Sequence, residues 1–287
     1  LAELAARALE GPPFTRAERA LLAAAEDGGA ARGGPGADPD PAGAAAWGPE
    51  RTVRADLVRW LCTHPEAARR VHPRGLSLHG ARVTHPLDLA HVAVPFPLRL
   101  VRCALLPGLV LADADLARLT LSGCRVGPLR ADRLVARGPV TIADGTRVLG
   151  GARLCDATVL GDLCLRGAAL INGGAVALAA SRLTVEGDLL LDGAFRALGA
   201  VRLIDATVAG DLDCRGGRFL NRGGVALACD RIQVGGRTHL DAGFKAYGAV
   251  RLLDARVHGG THGHASTTDA RGARGSRTPA RSAQVSR

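Results

Sequence analysis

Seven cysteines, nine histidines and several closely spaced aspartates are the residues of this 287-residue chain whose chemistry could be catalytic. Paired thiolates would bind zinc or exchange electrons, but no two cysteines form a CxxC pair and none carries zinc-site spacing. Aligned on the repeat described below, Cys155 takes the place of Ile204 and Leu253, Cys214 that of Leu165, and Cys229 that of Ala180. Cys103 and Cys124 occupy a small-residue position held elsewhere by Ala81 and Ala114. A cysteine that exchanges with Ala, Leu or Ile behaves as a small hydrophobe. Only Cys164, which exchanges with Asp213, is expected to face outward.

Histidine and aspartate give equally little. His262-Gly263-His264 supplies two ligands of a metal site without a third nearby, so adventitious binding is the expectation. His79, His85 and His91 recur every six residues, close to the module period but off it. Asp113-Ala114-Asp115 and Asp211-Leu212-Asp213 could act as acid–base pairs, yet Cys164 stands in place of Asp213, so turn or surface roles are favoured. No G-x-G-x-x-G opening a helix, no P-loop and no G-x-S-x-G elbow occurs. No catalytic residue, cofactor or metal ion is expected.

What the chain does contain is a repeat. Residues 152–200 align without a gap on 201–249, with 26 identities in 49 positions, and a third copy opens at Val250, Arg251, Leu252 and Asp254. Self-similarity at a fixed period marks a solenoid, in which each unit buries its apolar face only against its neighbours. From Leu76 a shorter module runs throughout, of the form apolar-x-apolar-x-x-small-x-apolar: Leu76, Leu78, Ala81 and Val83, then Leu87, Leu89, Val92 and Val94. Apolar-x-apolar is the alternation of a strand, and the small residue suits a crowded corner. Two modules per coil predict a parallel β-helix of eight coils, each of about 22 to 25 residues. The composition agrees: 47% of residues are hydrophobic but only 3% aromatic, and 38 are glycine, which suits thin stacked coils better than a globular core.

Before the repeat, Thr15-Arg16-Ala17-Glu18 reads as a capping box that opens a short helix within residues 1–27. Residues 28–48, rich in Gly, Pro and Asp, are expected to form a disordered linker. Within 49–75 a helix from about Glu50 to Cys62, with Val53, Leu57, Trp60 and Leu61 on one face, should cap the first coil through Trp60. The β-helix is assigned to 76–260 and a disordered basic tail to 261–287. Because Thr261 stands where the repeat calls for an apolar residue, the last coil should be left open, prone to self-association or covered by the tail.

Charge narrows the partners. Residues 76–260 carry 22 basic and 16 acidic groups, and 261–287 carry 5 and 1. Acids and arginines are interspersed in the array without base-stacking aromatics, so nucleic acid is not an expected partner. No apolar run reaches the ~20 residues of a spanning helix, and Leu1–Glu10 lacks the layout of a signal peptide. A cytoplasmic location is expected, peripheral to the membrane at most.

Ala114-Asp115-Leu116, Ala157-Thr158-Val159 and Ala206-Thr207-Val208 resemble the A(D/N)LXX signature of pentapeptide-repeat proteins, here seen mainly at every second pentapeptide. The segments 71–76, 95–100, 201–203 and 210–212 are similar to a group of actinobacterial proteins commonly labelled "membrane-associated oxidoreductase". The resemblance covers about residues 50–260 and implies a β-helix and, by label alone, a redox activity at a membrane; it brings no site residue. The spacing departs from strict fives. Some pentapeptide proteins mimic DNA and bind gyrase, but that needs an acidic surface, which the net charge of 76–260 opposes.

One surface feature repeats. Asn172-Gly173-Gly174 and Asn221-Arg222-Gly223-Gly224 lengthen the same corner in both units. Phe195 and Phe244 recur after Asp192 and Asp241, with Lys245 beside the second. Insertions of this kind often mark a binding face, so Asn172, Asn221, Arg222, Phe195, Phe244 and Lys245 form the candidate interaction face; turn chemistry with a packed aromatic is the alternative. A non-catalytic scaffold that meets a protein partner or a membrane surface is the expected function, with a membrane-associated oxidoreductase as its rival.

Overall fold

The computed structural model describes residues 1–34, 39–263 and 266–267. From Leu76 the chain winds into a parallel β-solenoid. One file of inward residues climbs Leu76, Leu98, Leu119, Val140, Leu163, Leu189, Leu212, Thr238 and Thr261, one per coil. Coil length is the spacing along this file: 21 residues from Leu98 to Leu119, 26 from Leu163 to Leu189 and 23 from Leu189 to Leu212. A 26-residue and a 23-residue coil make the 49-residue repeat, which is therefore a two-coil unit.

Each coil has four sides. In the coil that begins at Leu119 the strands are the end of Asp115–Ser122, then Arg125–Val126, Leu129–Arg130 and Val135–Ala136. Every side points two residues inward: Leu119 and Leu121, Cys124 and Val126, Leu129 and Ala131, Leu134 and Ala136, all fully buried. Sides one and four join in a 16-stranded sheet, sides two and three in a 14-stranded one. The ten-to-thirteen-residue module of the sequence is thus a pair of sides, with a corner at the small residue.

The two-coil period has a physical cause at the corner between sides three and four. There His91, Asp113, Arg133, Asp156, Arg182, Asp205, Arg231 and Asp254 all adopt left-handed backbone, with φ between 54° and 59°. They stack one above another, and from Asp113 on acid and base alternate. Arg133 holds Asp113, Arg182 holds Asp156 and Arg231 holds Asp205, each through two hydrogen bonds of 2.5–2.7 Å. A one-coil repeat would stack like charges about 4.8 Å apart, which is unfavourable. Alternate coils of opposite sign remove that repulsion.

A second alternation fills the core of side two. Its inward pairs are Ala168 and Leu170, Phe195 and Ala197, Gly217 and Phe219, Phe244 and Ala246. Large and small residues exchange places from coil to coil, so Phe219 settles over Gly217, where a Cβ would lie 3.0 Å from its ring. The result is an aromatic stack with ring centroids 5.5 Å apart for Phe195–Phe219 and 5.3 Å for Phe219–Phe244.

The N-terminal segment closes the first coil with more than one helix. Helices α1 (Ala2–Ala8), α2 (Arg16–Asp27), α3 (Ala55–Thr63) and α4 (Pro65–Arg70) precede the array. The capping box at Thr15 and Glu18 is present, and Leu21, Leu22 and Ala25 of α2 are buried. Glu18 is fully buried and ties α2 to the array: it accepts from the Arg54 backbone at 2.9 Å, Arg54 Nε at 2.8 Å and Nη2 at 3.1 Å, and the Thr15 backbone at 3.0 Å. The capping helix starts at Ala55 rather than near Glu50, because Thr52–Arg54 is a strand paired with Arg82–Thr84. Trp60 is buried and stacked on His64.

Two expectations need correction. Part of the expected linker is ordered: Ala31–Arg32 pairs with Leu78–His79, Gly33 N–H donates to His79 O at 2.8 Å, and Ala44 is fully buried. Small residues there permit close backbone approach, since a Cβ on Gly33 would stand 2.4 Å from Gly80 O. Residues 35–38 of that linker lie outside the described residues. The array also passes Gly260, because Thr261–Gly263 pairs with Thr238–Leu240 and Ser266–Thr267 with Lys245–Ala246. Threonine takes the inward file there in place of leucine. The rest of the expected tail, 264–265 and 268–287, lies outside the described residues.

Candidate interaction face

The chemically suggestive residues do not converge. Cys62, Cys103, Cys124, Cys214 and Cys229 are buried. Burial pushes the thiols of Cys62 and Cys229 up to about 12 and raises those of Cys103 and Cys214, whereas reactivity belongs to the thiolate. Cys164 is half-exposed as expected, but so is Cys155. Its position is the turn before the left-handed corner, where Leu253 is 61% exposed, so apolar exchange there did not signify burial.

Asp113, Asp115 and Asp213 are each held by an arginine: Arg133, Arg137 and Arg215. The Arg133 hydrogen bonds hold Asp113 below the usual carboxylate range, and Arg137 does the same for Asp115. A general acid needs the opposite shift. His79, His85 and His91 lie apart, with His79 against Ser77 and His91 3.7 Å from Asp113. His262 stacks on His239 at 5.8 Å, and His264 lies outside the described residues. Among the described residues no three His, Cys, Asp or Glu side chains gather at a metal-binding distance. A surface depression of about 430 Å³ is lined by Asp205, Arg231, Gln233, Asp254 and Arg256, where Asp205 and Arg231 pair with each other.

The expected interaction face divides. Phe195 and Phe244 are not on it: they are 0% and 3% exposed and belong to the aromatic stack. The signal was available, since Phe195 follows its turn at the same inward step as Ala168. Asn172 and Asn221 fasten the corner insertions internally, each donating from Nδ2 to a backbone carbonyl, Val176 O and Val225 O, at 2.9 Å. The two insertions do not form one ledge, because the short strand Arg196–Arg202 runs between them. Its Gly199, with φ +123°, passes under the first insertion, where a Cβ would lie 2.6 Å from Asn172 O. Arg222 and Lys245 are exposed, and Arg222 lies 6.0 Å over the Tyr247 ring.

Lys245 marks a larger feature. On the outer surface of side two, strand register aligns Arg125, Arg147, Ala169, Arg196, Arg218 and Lys245 in one file. Two residues further along each strand, a second file runs Leu149, Ile171, Leu198, Leu220 and Tyr247. Leu198 is 36% exposed and the other four are half-exposed. Elsewhere in the array Arg133, Arg137, Arg153, Arg166, Arg182, Arg215, Arg231 and Arg251 each pair with an aspartate. Among the described residues the five cations of this file make no ion pair, and neither file contains an acid. Reading the sequence missed the face because its members are about a coil apart, at intervals varying between 22 and 27 residues.

Among the described residues no helix is long and apolar enough to cross a membrane. No family model, curated protein or solved structure matches the chain.

Proposed function

We propose that this β-solenoid is a non-catalytic interaction scaffold that works by binding another macromolecule through the outer face of side two. The observation that carries the reading is that five cations, without ion pairs among the described residues, align in one file directly beside a file of part-exposed apolar side chains, with no acid in either. Rigid stacked coils hold that file and its apolar neighbour in fixed register, which lowers the entropy cost of binding. The membrane-associated redox activity implied by the resemblance is the rival.

A photo-crosslinking residue at Leu198 should capture a macromolecule in cells that express the chain. The same residue at Leu160, which is 51% exposed at the corner between sides four and one, should not. Native mass spectrometry and an absorption spectrum of the purified chain complete the test. A co-purifying flavin or nicotinamide, or equal capture from both positions, would overturn the scaffold reading.

A further inference from the structure

The paired files define more than a charged surface. The apolar file is one side chain wide: the cations bound it on one side, and the glycine-rich corner insertions around Gly173 and Gly223 on the other. From Leu149 to Tyr247 it crosses five coils, four steps of about 4.8 Å, or roughly 19 Å. A partner that follows the file must present apolar groups at that interval.

An α-helix laid along the solenoid axis does so. Its turns repeat every 5.4 Å, so about three and a half turns, or ~13 residues, span the file and drift by only ~2.4 Å from end to end. An extended strand presents side chains on one face every ~6.7 Å and falls out of step after one or two coils. The cation file stands two residues away along each strand, about 6.7 Å, which lies within the ~10 Å breadth of a helix. Acidic residues on one flank of the helix's apolar stripe would meet Arg147, Arg196, Arg218 and Lys245. A bilayer gains affinity from broad apolar burial, which a single row offers poorly.

We propose that this face binds an acidic amphipathic helix of a partner protein, lying parallel to the solenoid axis, with its apolar stripe on Leu149, Ile171, Leu198, Leu220 and Tyr247. The proposal rests on the scaffold reading above and names the partner's chemistry.

The probe is a fluorescein-labelled peptide of about 14 residues, with leucines at helical i, i+3 and i+4 spacing and glutamates along one flank. A control peptide carries lysines in place of the glutamates. Titrated with the full chain, the acidic peptide should bind, gain helicity by circular dichroism and weaken with added salt; the basic peptide should not bind. The double variant Arg196→Glu/Arg218→Glu should weaken the acidic peptide by about tenfold or more and begin to bind the basic one. Leu198→Asn/Leu220→Asn should weaken the acidic peptide with its charge preference unchanged. All four positions lie on the outer surface, and an unchanged thermal melt would show that the variants fold. Equal binding of both peptides, indifference to charge reversal, or binding without gain of helicity would overturn the proposal. So would a chain that ignores the peptide but sediments with phosphatidylglycerol vesicles, or one that dimerises through this face. If crosslinking from Leu198 persists while the peptide fails, the helix is refuted and the scaffold stands.

Discussion

Replacing Phe219 by alanine tests the account of the core most directly. The side chain is fully buried and lies between two other rings, 5.5 Å from Phe195 and 5.3 Å from Phe244. Removing a buried phenylalanine costs about 3–5 kcal/mol, and an aromatic pair adds about 0.5–1.5 kcal/mol beyond area burial. Phe219 has two such pairs and Gly217 beneath it, which cannot swell to fill the space, so about 5 kcal/mol is expected. Phe244→Ala loses one aromatic neighbour at the end of the stack and should cost about 3 kcal/mol. Because each coil touches only its neighbours, the damage should also be local. Urea unfolding gives the ranking, and hydrogen exchange gives the location. In Phe219→Ala, amides from about Leu212 onward should lose protection while those of the coils between Leu76 and Ser122 keep it. Equal costs for the two variants would refute the stacked, interdigitated core. Uniform loss of protection along the array would refute nearest-neighbour coupling.

Three further outcomes are expected. Burial alone would raise the Glu18 carboxyl, but hydrogen bonds from the Arg54 side chain and backbone and the Thr15 backbone hold it below its ordinary value. Its contribution is therefore present above the unfolded-state value, about 4.3, and lost as pH falls through the folded one; Glu18→Gln should lower the melting temperature at neutral pH and flatten its decline in acid. Arg182→Asp sets a third carboxylate between Asp156 and Asp205 in the corner ladder, so it should destabilise the array and be partly rescued by salt, as thermal melts in low and high salt would show. Gly199→Ala, at φ +123° with a carbonyl 2.6 Å from the new Cβ, should cost about 2 kcal/mol or more by urea unfolding, whereas Gly173→Ala, with open space around it, should change stability by less than about 0.5 kcal/mol.

Several elements were legible in the chain itself. The two-residue alternation of Leu76 and Leu78 or Leu119 and Leu121 gives strands, and recurrence of the module gives parallel stacking, because both depend on local periodicity that neighbouring coils only repeat. The capping box at Thr15 and Glu18 is likewise local. Other features depend on what stands a coil away. Whether Gly33 belongs to a loose linker or a close contact is settled by Gly80. The 49-residue period could be counted from the sequence, but its reason, opposite charges and opposite bulk on alternate coils, needed register. So did the cation file, since Arg147, Arg196, Arg218 and Lys245 become neighbours only when coils of unequal length are stacked. Periodicity fixes which backbone a segment forms, because that choice is made within a few residues. Which side chains share a surface is decided by coil length, because corner insertions such as the one at residues 172–174 bulge out locally and let the strands on either side keep their register, so the interval between stacked partners changes from coil to coil.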